Sequence, residues 1–223
     1  MINNNELNGD FSSGLYGLDT SHPFFTKTYL SSKTKEARMN FAHQYINFDW
    51  QSVMFGDEMS IRLGKYKILI WGSISNVNGA ILDLQFLKQP TRSQGYIQDI
   101  LTPIVKPYFE EHNGLTFAHD MASWHQASRV KCWFRRHEIN FINLPPNSSD
   151  FNLMANLWMS LRLKLEEMTG IEPTSYQQAV DIINEAWSDV KGDYSDNFKE
   201  QLYATMKNRL RRCITNNGKI LYK

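Results

Sequence analysis

The sequence has few cysteines, no long apolar run and no signal-peptide pattern, the features that most directly indicate a disulfide-rich, membrane or secreted protein. Among its 223 residues are only two cysteines, Cys132 and Cys213, which lie far apart and lack the spacing of a metal site or a disulfide framework. We expect two reduced, half-buried thiols. No apolar run approaches the ~20 residues that a membrane-spanning helix needs, and the N-terminal residues do not resemble a signal peptide. These absences predict a soluble, intracellular protein, nuclear or cytoplasmic, without membrane contact.

The net charge is also small, at +1 from 24 basic and 23 acidic residues. This balance does not require a nucleic-acid partner, and it does not exclude one, because a basic face can exist within a neutral total. The 42% hydrophobic content, with 13% aromatic residues, is ordinary for a globular core. The length allows one packed domain, with or without an appendage.

The N-terminal residues differ in composition from the rest. Residues 1–34 are rich in Asn, Ser, Gly and Thr and show neither helical nor strand periodicity. They predict an irregular, partly ordered polar arm. Residues 35–223 carry the periodic segments and predict one folded domain with C-terminal helices.

Hydrophobic periodicity in that domain predicts an α/β fold. The predicted strands are residues 52–61, 67–74, 80–87, 115–120 and 140–144, and the predicted helices are residues 35–47, 96–112, 126–138, 152–168, 176–190 and 195–214. The first three strands follow one another closely, which indicates an antiparallel meander. The last two strands are reached through helices long enough for right-handed crossovers. The order βββαβαβα predicts an RNase H-like fold with a mixed five-stranded sheet flanked by helices.

One stretch carries a family resemblance. Residues 144–158, LPPNSSDFNLMANLW, indicate the end of a buried strand, a Pro-Pro turn and the start of an amphipathic helix. The stretch resembles the signature P-x-x-S-P-D-x-N-P-I-E-N-L-W of the Tc1/mariner DDE transposases. The matching residues are Pro146, Ser148, Asp150, Asn152, Asn156, Leu157 and Trp158. Ala155 stands where that family has its third catalytic carboxylate, and Leu153 replaces its proline.

Two further blocks extend the resemblance. Asp57, in VMFGDE, is similar to the first acid of the family's F-S-D-E strand, and Asp120, in HDMASWH, is similar to the second, in Q-D-N-A-P-x-H. In that second block Ala122 and His125 match. The 34 residues between Asp120 and Ala155 also resemble the family spacing. Matches at residues 206–212, Gly218 and Tyr222 carry the resemblance to the C-terminus, so that it covers about residues 35–223.

The resemblance implies a catalytic site that this chain does not complete. In the family, three acids hold two Mg²⁺ or Mn²⁺ ions roughly 4 Å apart for phosphoryl transfer in DNA, because hard cations prefer oxygen ligands. Ala155 offers no oxygen. Asp150 already has a counterpart in the family signature, and Glu166 and Glu167 lie roughly 16 Å further along the helix axis.

We therefore expect Asp57 and Asp120 to form at best a weak site for Mg²⁺ or Mn²⁺, or no cofactor to bind. We also expect most or all phosphoryl-transfer activity to be lost. His125 is expected to cap or pack at a helix start. Glu58 is expected to face away from Asp57, because neighbouring strand residues point to opposite sides of a sheet.

Two clusters of basic residues are predicted to bind nucleic acid, since a surface that follows a phosphate backbone needs such clusters. They are Arg129, Lys131, Arg135 and Arg136 on the helix after Asp120, and Lys207, Arg209, Arg211 and Arg212 on the last helix. A solvated helix face explains each cluster equally well. We expect the family's two helix-turn-helix modules to be missing ahead of the domain, and the family's insertion between the first two strands is short here. Any DNA binding is therefore expected to be weak or non-specific.

Three functions stay open. The leading hypothesis is a transposase-derived, catalytically inactive protein that binds DNA, or that binds protein partners or a second copy of itself as a scaffold. The alternative is a DDE transposase that cleaves and joins DNA with Mg²⁺ or Mn²⁺, seen here as a Glu-to-Ala variant. The third is an inert product. Because several signature positions differ together, natural decay or domestication is favoured over one engineered change.

Overall fold

The computed structural model describes residues 30–77, 80–88, 92–168 and 172–220. Five strands and the helices between and after them follow in chain order. They are α1 (Ser32–Tyr45), β1 (Val53–Leu63), β2 (Tyr66–Ser75), β3 (Gln85–Leu87), α2 (Ser93–Gly95), a π-helix (Tyr96–Val105), α3 (Lys106–Glu111), β4 (Thr116–His119), α4 (Ser128–Arg136), β5 (Asn140–Asn143), α5 (Met154–Glu167), α6 (Tyr176–Asp193) and α7 (Asp196–Thr215). None of the described helices is long and apolar enough to cross a membrane.

The strands form one mixed sheet in the order β3-β2-β1-β4-β5. β1, β2 and β3 are antiparallel neighbours, β4 runs parallel to β1 beside it, and β5 runs parallel to β4 at the sheet edge. This topology confirms the predicted RNase H-like sheet. β1 and β2 pair without a break from Met54↔Ser75 to Leu63↔Tyr66. The turn between them is tight, and Gly64 supplies the positive φ of +54° that it requires.

Helices cover the sheet on both faces. Alternate residues of β1 point to opposite sides, so Phe55 packs with α5, α6 and α7 on one face, whereas Met54 packs with the π-helix and α4 on the other. We call these the α5 face and the α4 face. Trp187 of α6 and Leu210 of α7 belong to the core of the α5 face, and Phe134 belongs to that of the α4 face.

Several boundaries differ from the sequence prediction. The third strand is only Gln85–Leu87, and Ile81 contributes an isolated bridge to Ile74. The predicted helix over residues 96–112 is mostly π-helical, because Pro103 has no N–H to donate within a regular turn.

The beginning and end of the chain are described only in part. α1 begins at Ser32 rather than Lys35, with Ser31 accepting a capping hydrogen bond from the Thr34 N–H. The rest of the predicted arm, residues 1–29, lies outside the described residues. So does Tyr222, one of the C-terminal residues that carry the resemblance.

A buried arginine fixes the turn that precedes α5. Arg38 of α1 has no exposed surface. Its guanidinium donates to both carboxylate oxygens of Asp150, at 2.8 and 2.6 Å, and to the Ser148 hydroxyl at 2.7 Å. It also donates to the backbone carbonyls of Asn147 and Gly218, both at 2.9 Å. One side chain therefore holds together α1, the signature turn and the segment after α7.

Candidate active site

The three positions predicted from the sequence come from three elements that meet at one end of the sheet. Asp57 lies in the middle of β1, Asp120 directly follows β4, and Ala155 is in the first turn of α5. The indole N–H of Trp158 donates to Asp57 Oδ2 at 3.0 Å. Because Trp158 follows Ala155 by three residues, both lie on the same side of α5. The first turn of α5 is therefore held beside Asp57.

A glycine makes this approach feasible. Gly72 of β2 is the register partner of Asp57. A Cβ on Gly72 would lie 2.7 Å from Trp158 Cη2 and 3.0 Å from Met154 Cε. With no side chain at this position, the indole can lie against β2 while its N–H reaches the Asp57 carboxylate.

Asp57 is an acid in an unfavourable place for a negative charge. Burial raises its pKa to about 8, and the nearby charges of Glu58 and Asp120 add to the increase. The hydrogen bond from Trp158 acts in the opposite direction but does not outweigh them. At neutral pH and without a cation beside it, Asp57 therefore holds a proton for most of the time.

The second acid is fixed through a histidine. His125 Nδ1 lies 2.7 Å from Asp120 Oδ1, and His125 Nε2 lies 3.2 Å from Glu58 Oε1. Burial lowers the pKa of His125, but the Glu58 charge and the bonds to both carboxylates outweigh it and raise that pKa to about 10. The imidazolium therefore donates to both acids. The Trp124 N–H, 3.0 Å from Nε2, cannot donate to a protonated nitrogen.

Glu58 is the site residue that the sequence analysis missed. It points to the α4 face, away from Asp57, as predicted, and there it holds His125. The pKa of Asp120 is lowered, since the hydrogen bond and charge of His125 overcome the effect of burial. His125 thus does more than pack at the start of α4. The signal available in the sequence was the alternation of β1, which sends Glu58 to the face that carries α4.

His119 lies beside this group but remains neutral. Burial, followed by the charge of His125, lowers the pKa of His119 to about 3. The two imidazole rings stack, with centroids 4.5 Å apart. The Tyr96 hydroxyl lies 3.3 Å from His119 Nδ1. His119 is therefore a core residue whose ring packs against that of His125.

Comparison with known proteins agrees with this geometry. Residues 70–172 match the sequence model of a family described as DDE superfamily endonuclease. Over 216 residues, 85% of this chain, it is 24% identical to the transposable element Tc3 transposase of Caenorhabditis elegans. It is 21% identical to the Tcb1 transposase of Caenorhabditis briggsae, covering 74% of this chain and 70% of that protein.

These similarities support a DDE transposase catalytic domain of the Tc1/mariner type in this chain. The chain spans 63% of the length of the Tc3 transposase. Its fold matches the catalytic domain of the Mos1 mariner transposase, with a TM-score of 0.72 and 16% identity over 89% of this chain and 100% of that domain. The Mos1 mariner paired end complex with Mn matches at a TM-score of 0.70 and 15% identity, over 89% of this chain and 66% of that chain.

The side chains present do not fit the two-ion centre that this family implies. Among the described residues, no three His, Cys, Asp or Glu side chains are arranged to hold a metal ion. Ala155 offers no ligand, and both oxygens of Asp150 are bonded to Arg38. Glu166 and Glu167 are exposed at the far end of α5. Asp57 and Asp120 as ligands of a single ion remain a prediction.

The two predicted basic clusters lie on opposite faces of the sheet. α4 packs on the α4 face, and its cluster is exposed there: Arg129, Lys131, Arg135 and Arg136. α7 packs on the α5 face, where Lys207, Arg211 and Arg212 are exposed. His125 and the two acids that it bonds, Glu58 and Asp120, form a group (the His125 group) on the same side as the α4 cluster. One straight duplex cannot lie on both faces at once.

Arg209 differs from the other members of the α7 cluster. Its guanidinium donates to the Asp150 carbonyl at 3.0 Å and to Asn156 Oδ1 at 2.9 Å. Burial lowers its pKa, and it is only partly exposed. These contacts join α7 to the signature turn and to α5, so the structure gives Arg209 an internal, supporting position.

Proposed function

We propose that this transposase domain binds DNA without cutting it. The observation that carries the proposal is Ala155, which stands in the first turn of α5, beside Asp57, where the family signature has its third carboxylate. Without that ligand, the acids present cannot hold two divalent ions, and the activation of a nucleophile by such ions is lost. The fold around the site is otherwise complete.

The small net charge of the site, which lacks the third acid, supports DNA binding. Asp57 holds a proton near neutral pH, and the positive charge of His125 offsets one of the two negative charges of Glu58 and Asp120. The four groups together therefore carry about one negative charge. Repulsion between this site and a DNA phosphate is weaker than it would be for three ionised acids.

The α4 cluster supplies the attractive surface. Its four cations are exposed on the face that carries the His125 group, whereas the α7 cluster faces away from it and has Arg209 bonded internally. We therefore assign DNA contact to α4. The interaction is expected to be independent of base sequence and sensitive to salt, because contacts to phosphate carry no base information.

The test is a salt titration of DNA binding with matched charge removal. A triple glutamine variant of α4 (Lys131→Gln, Arg135→Gln, Arg136→Gln) is compared with one of α7 (Lys207→Gln, Arg211→Gln, Arg212→Gln). For each lost phosphate contact, the slope of log affinity against log salt falls by about 0.9. The α4 variant should lose up to three such contacts and the α7 variant none. Failure of the native chain to retain a duplex, or its cleavage of that duplex with Mn²⁺, would contradict the proposal.

A second function is supported by one feature of the site. Asp57, Asp120 and the first turn of α5 still meet, and Trp158 still bonds Asp57. A parent chain with Glu at position 155 would bring three carboxylates together, which fits metal-dependent DNA cleavage and strand transfer. On this alternative, the chain is an inactive form of an enzyme. A natural relative with an acid at this position and nicking activity would favour it.

A further inference from the structure

The tip of the β1–β2 hairpin carries three exposed positive charges. Arg62 of β1 and Lys67 of β2 are register partners, and both are exposed. Lys65 lies in the turn between them, with its ammonium 5.3 Å from the centre of the Tyr66 ring. Like charges placed directly opposite each other on antiparallel strands destabilise the pair. The hairpin therefore keeps a local arrangement that works against its own stability.

No ion pair with an acid of the described residues offsets these charges. The ion pairs formed by the described residues do not include Arg62, Lys65 or Lys67. A Gln or Thr at either strand position would remove the repulsion and keep a polar surface. A negatively charged partner from outside the chain would give the three cations a favourable role.

The hairpin points these cations to the side of the sheet that carries the candidate site. β1 and β2 pair without a bulge, so residues four apart on one strand share a face. Arg62 therefore lies on the same face as Glu58, which holds His125. Likewise, Lys67 lies on the face of Trp71, which packs in the core of the α4 face. The Arg62–Lys67 pair lies roughly 13 Å from Glu58 along the strand.

We propose that the hairpin cations Arg62, Lys65 and Lys67 form a second phosphate-binding surface, which extends the DNA path from α4 past the candidate site. This inference rests on the proposed function, since it concerns the same ligand. A spacing of roughly 13 Å corresponds to about four base pairs at 3.4 Å each. One duplex backbone can then follow the α4 face from the helix to the hairpin tip.

The experiment measures binding of a short, blunt DNA duplex by fluorescence anisotropy at several salt concentrations. The test variant is Arg62→Gln/Lys67→Gln. The control is Lys33→Gln/Lys219→Gln, which removes the same charge from two exposed lysines outside the hairpin and α4. The test variant should reduce the salt slope by about 1.8, the value for two lost phosphate contacts. The control should leave the slope unchanged.

A third variant separates binding from folding. Lys67→Glu places opposite charges across the strands and should raise the Tm by about 1–3 °C. It should nevertheless weaken DNA binding more than Lys67→Gln does. A variant that is more stable yet binds less tightly cannot owe its lost affinity to unfolding.

The outcomes distinguish this inference from the function on which it rests. If the native chain binds the duplex and the hairpin variant behaves like the control, the inference is wrong and the proposed function stands. A native chain that does not bind duplex DNA at all overturns both. If double-stranded RNA displaces the DNA at lower concentration, the assignment of a DNA backbone as the partner is wrong.

Discussion

Two ionic groups lie on either side of the start of α5, and they differ in burial and in the balance of their charges. In the first, Arg38 is fully buried and Asp150 has a side chain only 8% exposed. The guanidinium has five acceptors within 3.0 Å, all from the signature turn and the C-terminal segment. The charge of Arg38 is matched by one carboxylate inside the chain.

The second group contains Asp57, Asp120, Glu58 and His125. It holds three acids and one cation, and the side chain of Asp120 is 52% exposed. With three acids and one cation in this group, burial and the charges of Glu58 and Asp120 raise the pKa of Asp57 to about 8. The first group is closed and the second is open to an external ligand.

The difference explains which parts of the family signature this chain retains. Ser148 accepts a hydrogen bond from Arg38, Asn152 Oδ1 accepts from the Met154 N–H, and Asn156 Oδ1 accepts from Arg209. These matching residues hold the turn and α5 in place. Position 155 needs only a helical backbone, whose N–H bonds the Asn152 carbonyl. The fold therefore does not require an acid at position 155.

The largest effect on stability is expected from removing the cation of the Arg38–Asp150 group. Arg38→Met removes the Arg38 cation beside the buried Asp150 and six hydrogen bonds, so the free energy of unfolding should fall by roughly 3–5 kcal/mol. Chemical denaturation measures this change. Arg211→Met, at an exposed position on α7, should stay within about 0.5 kcal/mol of the native protein. A cost below about 1 kcal/mol for Arg38→Met would show that this group is not a structural lock.

A smaller effect is expected where α5 approaches the open group. The added methyl of Gly72→Ala would lie 2.7 Å from the Trp158 ring, and such overpacking typically costs about 1–3 kcal/mol. Gly192→Ala is the matched control, because a Cβ at that helical position meets nothing within 4 Å. The control should stabilise α6 by about 0.5–1 kcal/mol. Equal stability changes in the two variants would contradict the close packing of Trp158 on β2.

The raised pKa of Asp57, in the second group, should make the stability of the fold depend on pH. The folded-state pKa of Asp57 is raised to about 8, so between pH 4 and pH 8 the folded chain holds a proton that the unfolded chain has released. Its contribution to stability is therefore present at low pH and is lost as the pH rises toward 8. Asp57→Asn removes this dependence and should be more stable than the native protein at pH 8–9.

Denaturation midpoints at pH 5, 7 and 9 measure the difference between Asp57→Asn and the native chain. The raised pKa of His125 also makes stability fall with pH, from about 6.5 to about 10, but it does so in both proteins. The stability difference between Asp189→Asn, at an exposed position on α6, and the native chain should not change with pH. A difference between Asp57→Asn and the native chain that does not change with pH would contradict the buried, protonated state of Asp57.

Much of the fold followed from periodicity, and its departures have local causes. The five strands and their order were predicted because each has a buried, apolar stretch of its own. The third strand is shorter than its alternation suggested, since only three residues pair with β2. The π-helix was missed because apolar residues recur there every four residues, a spacing that an α-helix also accommodates on one face.

The site was predicted only as far as single residues allow. The family signature located Asp57, Asp120 and Ala155, but pairing across the sheet was needed to reveal the role of Glu58. Nothing in the sequence near Arg38 indicates that its partners lie more than a hundred residues away. In the same way, helix composition could not show that the two basic clusters face opposite sides, because that depends on which core each helix packs against.

The most direct test of the account is Mn²⁺-dependent nicking of supercoiled plasmid by the native chain, Ala155→Glu and Ala155→Gln, side by side. We expect the native chain and Ala155→Gln to leave the plasmid intact, and Ala155→Glu to nick it in a manner that chelation abolishes. Glutamine matches the size of glutamate without its charge, so it separates the new ligand from the new volume. Nicking by the native chain would contradict the claim that the site is incomplete, and silence from Ala155→Glu would contradict the claim that Ala155 alone makes it so.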